Sequence, residues 1–376
     1  MTETMQQINL NQLDKSTWQK YRFEQIAKSI TERVDPNNTD LDVYIGLEHI
    51  DAESIHIKRT GTRDDVNGQK LRCYPGDVIF GRRRAYQRKA AIATVDGFCS
   101  AHSLVLRANA DVIDPKLFPF FLHSDAFMHR AIDISVGSLS PTINWGTLKH
   151  QEFLLPPKDQ QAKLAELLWA MDEVVEKELR LKEVLKSTRQ NLFENRVNYA
   201  DSKLVALSDV LEIKNLKSSI PHSRTRYIGL ENIESGAFYC NDYSDSSSVK
   251  AQCNSVDKGD LCYSKLRPYL DKAFIASFDA VSSTELLVYK TNRMSKEYVL
   301  YYLHSKPFID YVSGKGFGTK MPRVNHEIIG EFLIKIIKDE LGLLEELAKF
   351  QKSEYELTVK IESAKLLQKS LINQIF

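Results

Sequence analysis

Tyr44 to Ile50 reads YIGLEHI, and Tyr227 to Ile233 reads YIGLENI. The offset is 183 (227 less 44). Working outward, Gly76 to Ala90 reads GDVIFGRRRAYQRKA, and Gly259 to Ala273 reads GDLCYSKLRPYLDKA, at the same offset. Phe120 to Phe127 (FFLHSDAF) answers Tyr301 to Phe308 (YYLHSKPF) at 181 (301 less 120). Pro141-Thr142-Ile143-Asn144 answers Pro322-Arg323-Val324-Asn325 at the same 181, and Asn191-Leu192-Phe193 answers Gln374-Ile375-Phe376 at 183. An ordered set of matches with so little drift means two copies of one fold. The period is far longer than the 20–50 residues of a solenoid repeat, so each copy can hold its own core.

Each copy has a mixed part and a helical part. The mixed parts, about 20–155 and 203–337, carry short β-rich runs such as Val78–Phe80, Ser103–Leu106 and Glu285–Tyr289. Pro75-Gly76 and Lys258-Gly259 punctuate them. Short helices are expected around Arg22–Ile30 and Pro115–His129. From Asp159 to Val197 there is no Gly or Pro, and Leu164, Leu167, Leu168, Met171, Val175, Leu181 and Leu185 recur mostly at three- and four-residue steps. A similar pattern runs from Asp339 to Phe376, broken by Gly342 alone. At 1.5 Å per residue, a helix of about 38 residues is about 57 Å long, and its apolar stripe needs a partner. The expected fold class is α+β: two mixed α/β domains in tandem, each followed by a long helix, the two helices pairing as an antiparallel coiled coil. The expected boundaries are 1–157 for the first recognition domain, 158–198 for the first long helix, 199–338 for the second recognition domain and 339–376 for the second long helix.

The 376 residues carry 51 Lys+Arg against 50 Asp+Glu. That balance excludes a uniformly basic, histone-like protein and an acidic tail protein. Apolar residues make up 43% and charged residues 27%, the proportions of an ordinary globular chain. The five cysteines form no C-x-x-C pair, which fits a reducing compartment. The first twenty residues are polar, without the apolar core of a secretory signal, and no apolar stretch approaches the ~18 residues of a membrane span. A cytoplasmic location is the expectation.

Charge is distributed unevenly within that balance. Residues 58–107 hold 11 Lys+Arg and four Asp+Glu, and residues 258–323 hold 11 against six. The densest cluster is Arg82-Arg83-Arg84, followed by Tyr86, Arg88 and Lys89; its counterpart carries Lys265, Arg267, Tyr269 and Lys272. A neutral chain with a cationic patch in each copy suggests two docking surfaces for nucleic acid, which gain affinity by displacing phosphate counterions. Gly137 to Trp145, and Gly314 to Asn325 in the second copy, read as polar loops. The glycines of the latter lack Walker spacing. Catalytic signatures are missing: no [ND]-P-P-[YFW], the adjacent Pro156-Pro157 lying in LPPKD, no P-loop, no G-x-S-x-G and no metal-ligand array. Asp64-Asp65 and Asp172-Glu173 read as solvated acids.

Taken together and in order, YIGLEHI and YIGLENI, GDVIFGRRRAYQRKA and GDLCYSKLRPYLDKA, SPTINW, and FLLPPKDQQAKLAELL opening a long helix resemble the specificity (S) subunits of Type I restriction–modification enzymes. The resemblance covers nearly the whole chain. It implies two target recognition domains held apart by antiparallel helices that act as a ruler. It implies a bipartite double-stranded DNA target and a chain without catalytic activity or cofactor of its own. The partners implied are two methyltransferase (modification) subunits that methylate adenine with S-adenosylmethionine, and restriction subunits. The middles of the copies, 52–72 and 235–256, differ strongly, so an asymmetric target is expected. By resemblance and charge, Arg82, Arg83, Arg84, Arg88 and Lys89 are expected near DNA in copy one, and Lys265, Arg267 and Lys272 in copy two. Thr142 and Asn144, with Lys320 and Arg323 on the equivalent loop, join them. Copy two departs from the pattern, with Pro322-Arg323-Val324-Asn325-His326 in place of PTINW and no Pro-Pro before its helix. A coiled-coil adaptor that binds no nucleic acid specifically, and a self-contained nuclease or methyltransferase, remain the alternative readings.

Overall fold

The computed structural model describes residues 15–318 and 321–376. The two long helices are Lys158–Tyr199 and Glu340–Ile375. Gly342 does not interrupt the second, because it sits in the first turn, where its amide donates to the Asp339 carboxylate at 3.2 Å. A helix start leaves such an amide without an intrahelical acceptor, and an Asp before it supplies one.

The chain forms two compact units whose borders fall inside the long helices. One contains the residues up to Arg180 together with Thr358–Phe376; the other is Leu181–Leu357. Each unit therefore owns one mixed domain and one segment of either helix.

In the first unit, Gln19–Arg22 pairs antiparallel with Glu152–Leu155 and ties the start of the domain to its end. A four-stranded antiparallel sheet runs in the order Ala27–Ile30, Ser103–Ala108, Val78–Gly81, Ala90–Ile92. A five-stranded sheet runs Arg33–Val34, Lys70–Cys73, Gly97–Cys99, Val43–Ile45, Gly61–Thr62, with Val43–Ile45 parallel to Gly97–Cys99. The helix expected over Arg22–Ile30 is a single turn, Phe23–Ile26, followed by the strand Ala27–Ile30. Pairing with Ser103–Ala108 decides that difference, since tertiary partners override weak local propensity. The helix expected over Pro115–His129 is two, Phe118–His123 and Asp125–Asp133, joined at Ser124, whose hydroxyl caps the second. Phe120, Phe121 and Phe127 pack with Leu164, Leu168, Leu371 and Ile375 from both helix segments. Between those segments Gln368 donates to Asp172, and Lys360 pairs with Glu178. Residue numbers rise along one segment as they fall along the other, so the pair is antiparallel.

The second unit repeats the plan. Ser202–Ala206 pairs with Leu333–Ile337. One sheet runs Leu211–Ile213, Leu286–Thr291, Leu261–Ser264, Ala273–Ala276 and adds Tyr239–Cys240; the other runs Lys217–Ser218, Cys253–Val256, Ala280–Ser282, Arg226–Ile228, Ser244–Asp245. The shared strand order and the parallel pair Arg226–Ile228 beside Ala280–Ser282 match the first unit, and the added Tyr239–Cys240 is parallel to Ala273–Ala276. Phe193, Val197, Leu343 and Leu347 from the helix segments enter its core. Arg189, 4% exposed, forks onto Glu354 at 2.6 and 3.1 Å, and Arg196 reaches Glu346 at 3.0 Å, again with antiparallel numbering.

The doubled motifs have structural causes. Gly76 and Gly259 both adopt φ of +91°, a conformation only glycine takes without strain. The Asp after each is buried and accepts a backbone amide across the turn: Asp77 from Tyr74 at 3.0 Å, Asp260 from Asp257 at 2.8 Å. A cation completes each lock, Arg107 on Asp77 at 2.7 and 3.0 Å and Lys214 on Asp260 at 2.5 Å. In the YIGLE turns the glutamate carboxylate of Glu48 or Glu231 lies where a side chain at Gly46 or Gly229 would stand.

Candidate nucleic-acid interface

The cationic segments follow the strands Val78–Gly81 and Leu261–Ser264. Each continues as a strap, then turns through a short 3-10 helix, Ala85–Gln87 or Pro268–Leu270. The turns are bracketed by non-glycine residues in the left-handed region: Arg84 and Arg88 at φ of 57° and 51°, Arg267 and Asp271 at 51° and 49°. Such residues cost of order 1–3 kcal/mol each and persist where the surroundings over-determine them, commonly at functional sites. Tyr86 and Tyr269 ride on the turns, 54% and 52% exposed, outside either core.

A hairpin is stitched to each strap by the same backbone bonds. In copy one, Arg84 N–H donates to Pro141 at 2.7 Å and Ile143 N–H to Arg82 at 2.9 Å, while Val136 and Thr142 exchange bonds of 3.0 and 2.9 Å. In copy two, Arg267 N–H donates to Pro322 at 2.7 Å and Val324 N–H to Lys265 at 3.0 Å, while Phe317 and Arg323 exchange bonds of 2.9 Å. Isolated bridges, Arg83 to Thr142 and Leu266 to Arg323, complete the match. The described parts of the segments read as polar loops thus pair as hairpin bases.

The structure sorts the expected basic residues into two sets. Arg83 and Arg267 are exposed, and their side chains have no partner among the described residues. Arg82 is half-buried, and its Nε has no hydrogen-bond partner. Lys265 is half-buried, its side chain also without a partner among the described residues. Arg84 is exposed and, among the described residues, its side chain reaches only the Ser140 hydroxyl, at 3.3 Å. The others are engaged inside their domain. Arg88, 15% exposed, donates to Asp125 at 2.7 Å and to the His123 carbonyl at 2.6 Å, with Glu53 at 3.3 Å. Lys89 donates to the Leu47 carbonyl at 2.6 Å, and Lys272 to the Leu230 carbonyl at 2.5 Å, each bracing a YIGLE turn. Arg323 forks onto Glu285 at 3.1–3.3 Å, which holds its guanidinium above an already high pKa. Thr142 donates to the Ser140 carbonyl at 3.0 Å, and Asn144 is exposed at the start of the helical turn Trp145–Leu148. Lys320 lies outside the described residues.

Asp172 departs from its reading as a solvated acid. It is 7% exposed and pairs with His56 at 2.6 Å. That hydrogen bond raises the imidazole pKa above its ordinary value despite burial. Its neighbour Glu173 pairs with Lys177 at 2.6 Å on the helix surface. The sequence reading also passed over the apolar side chains on the hairpins: Val136 and Leu139 are 64% and 90% exposed, Phe317 and Met321 55% and 44%. Their signal was an apolar residue inside an otherwise polar loop, aligned between the copies for Val136 and Phe317 but not for Leu139 and Met321. Among the described residues, no cluster of His, Cys, Asp and Glu is arranged to hold a metal ion, and no helix is long and apolar enough to cross a membrane.

Residues 15–187 match the family model of the Type I restriction modification DNA specificity domain. The chain is 26% identical over 169 residues to the Type I restriction enzyme EcoDI specificity subunit of Escherichia coli, covering 44% of this chain and 37% of that one. It is 21% identical over 208 residues to the Type I restriction enzyme HindI specificity subunit of Haemophilus influenzae, covering 53% and 45%. The aligned part is thus less than half the length of these curated relatives. The crystal structure of the Type I restriction-modification system S subunit from M. genitalium superposes over 97% of either chain at 15% identity, with a TM-score of 0.49. The family match covers the first copy and its long helix, and there it agrees with the resemblance read from the motifs.

Proposed function

We propose that this chain is the DNA sequence-recognition subunit of a Type I restriction–modification complex. Its two domains read the two halves of a bipartite, asymmetric target. It docks two adenine methyltransferase subunits, which use S-adenosylmethionine, and restriction subunits. The chain itself carries no catalytic step. The observation that carries this reading is the strap and hairpin, built twice with the same backbone bonds and the same strained turn but presenting different side chains. One frame with two chemistries suits a reader of two different half-sites. The specificity domain matched over the first copy and the specificity-subunit relatives support it.

The proposed DNA contacts are Arg82, Arg83, Arg84, Thr142 and Asn144 in copy one, and Lys265, Arg267 and Arg323 in copy two. Exposed guanidinium groups suit phosphates and guanine edges alike, and phosphate contacts position while base contacts specify. Arg88, Lys89 and Lys272 are proposed as struts that hold the strap, because their charges have partners inside the domain; Arg323 also pairs, with Glu285, but its side chain stays 40% exposed on the hairpin.

Co-expression with the neighbouring methyltransferase subunit, followed by single-molecule sequencing for modified adenine, tests the reading. The expected result is a bipartite, asymmetric methylated motif that disappears when this chain is omitted. An active methyltransferase with no motif dependent on this chain overturns it.

A further inference from the structure

A singly exposed leucine on a protein surface needs no explanation. The hairpins show something else. Each displays two exposed apolar side chains, Val136 and Leu139 in copy one, Phe317 and Met321 in copy two. Val136 and Phe317 occupy equivalent places, each exchanging two backbone bonds across its hairpin, and each is followed by a glycine at positive φ, +112° and +96°. The described bases of both hairpins are therefore braced by backbone bonds. Both stand on the segment bonded to the strap, beside exposed cations that pair with no carboxylate among the described residues: Arg83 and Arg84 in copy one, Arg267 in copy two. Exposed apolar side chains on a braced hairpin, beside guanidinium groups that pair with no carboxylate, recur in both copies and match the chemistry of a side chain that enters the base stack while arginines hold the phosphates.

We propose that the hairpins act as wedges: Leu139 with Val136 in copy one, and Phe317 with Met321 in copy two, press into a base step of their half-sites and loosen its stacking. This rests on the reading of the chain as a DNA reader and adds a second mode of selection to it. A step that unstacks easily would accept the wedge at lower cost than a stiff one, so the hairpin would select sequence through deformability as well as through base edges. The copies would differ in what they tolerate. Leu139 is a branched aliphatic tip at the apex, whereas in copy two the apolar contact comes from an aromatic ring at the base of the hairpin.

The test uses the full chain assembled with its methyltransferase subunits and duplexes carrying the motif found by sequencing. 2-Aminopurine is placed in turn at each position of the first half-site. The expected result is a rise in 2-aminopurine fluorescence at one step on binding, lost in Leu139→Ala together with about tenfold in affinity, roughly the burial of one leucine side chain. Leu139→Met keeps an apolar tip and should retain the signal, which separates a wedge from a misfolded loop. Arg83→Ala should weaken binding with a shallower salt dependence while leaving the fluorescence of the bound fraction in place. Unchanged fluorescence at every position, with sensitivity to replacing thymine by uracil, overturns the wedge in favour of apolar contact in the groove and leaves the DNA reading standing. Absence of salt-dependent duplex binding by the wild-type assembly overturns both.

Discussion

The straps of the two copies share a backbone and differ in what they carry. Arg82, Arg83 and Arg84 stand opposite Lys265, Leu266 and Arg267, while Arg88 stands opposite Asp271 and Thr142 opposite Arg323. The backbone bonds to the hairpin agree within 0.1 Å in all four matched cases, and the left-handed residues recur at the same places. The charge at the end of the turn is reversed, yet each version finds a partner in its own unit. Arg88 takes Asp125 and the His123 carbonyl, and Asp271 takes the ring of His304, the residue matching His123, at 2.6 Å. The comparison teaches that the frame is fixed by locks common to both copies and that the surface on it varies independently.

The largest expected effect breaks the frame. Asp77→Ala and Asp260→Ala each strip a buried carboxylate from a backbone amide and a cation, and each should cost about 2–3 kcal/mol. Urea unfolding of each variant measures it, and similar losses in both would confirm a shared lock. Arg88→Met should cost about 2 kcal/mol by leaving the His123 carbonyl without its arginine donor and Asp125 with only the Asn373 amide, with no change in the salt dependence of DNA binding. A shallower salt slope with unchanged stability would return Arg88 to the DNA surface.

Next come the free charges. The triple variant Arg82→Ala, Arg83→Ala, Arg84→Ala should weaken duplex binding more than about tenfold near 0.15 M salt and lower the salt slope by up to about three units. Lys265→Ala with Arg267→Ala should lower it by about two at most. Fluorescence anisotropy across a salt series reads both.

The smallest effect is on pH, and it differs between the units. In the first, His56 is raised above its unfolded value by Asp172. Its stabilisation is complete below about pH 6.5 and is lost as pH rises through the raised folded value. The partly exposed pair should contribute less than about 1 kcal/mol. Tyr239 and Tyr355 stand at the matching positions of the second copy, so that unit should lack the effect. There Asp257 is instead lowered to about 2 by Lys214 and Arg224. Its contribution is present above the unfolded value of about 3.9 and is lost as pH falls toward 2. Stability–pH profiles of His56→Gln and Asp257→Asn should each flatten in their own window only.

The parts legible in the sequence were those with a period or an internal duplicate. The repeat, the two long helices and the doubled turns all announce themselves by spacing alone. The sorting of the basic residues did not, because their partners lie far along the chain: Lys89 meets Leu47, Arg323 meets Glu285, and His56 meets Asp172. A run such as RRRAYQRK looks uniformly cationic until the turn at Arg84 sends Arg83 outward and Arg88 inward. The stretch 22–30 misled for a related reason, since a single helical turn running straight into a strand leaves no periodic trace.

The central claim is that the two straps read separate halves of one target. The most direct test compares the methylated motif written with the wild-type chain, with the Arg82/Arg83/Arg84 alanine variant, and with Lys265→Ala, Arg267→Ala. The account expects an asymmetric bipartite motif in the wild type, relaxed in one half by the first variant and in the other half by the second. Relaxation of the same half by both variants, or of neither half while binding weakens uniformly, would contradict it.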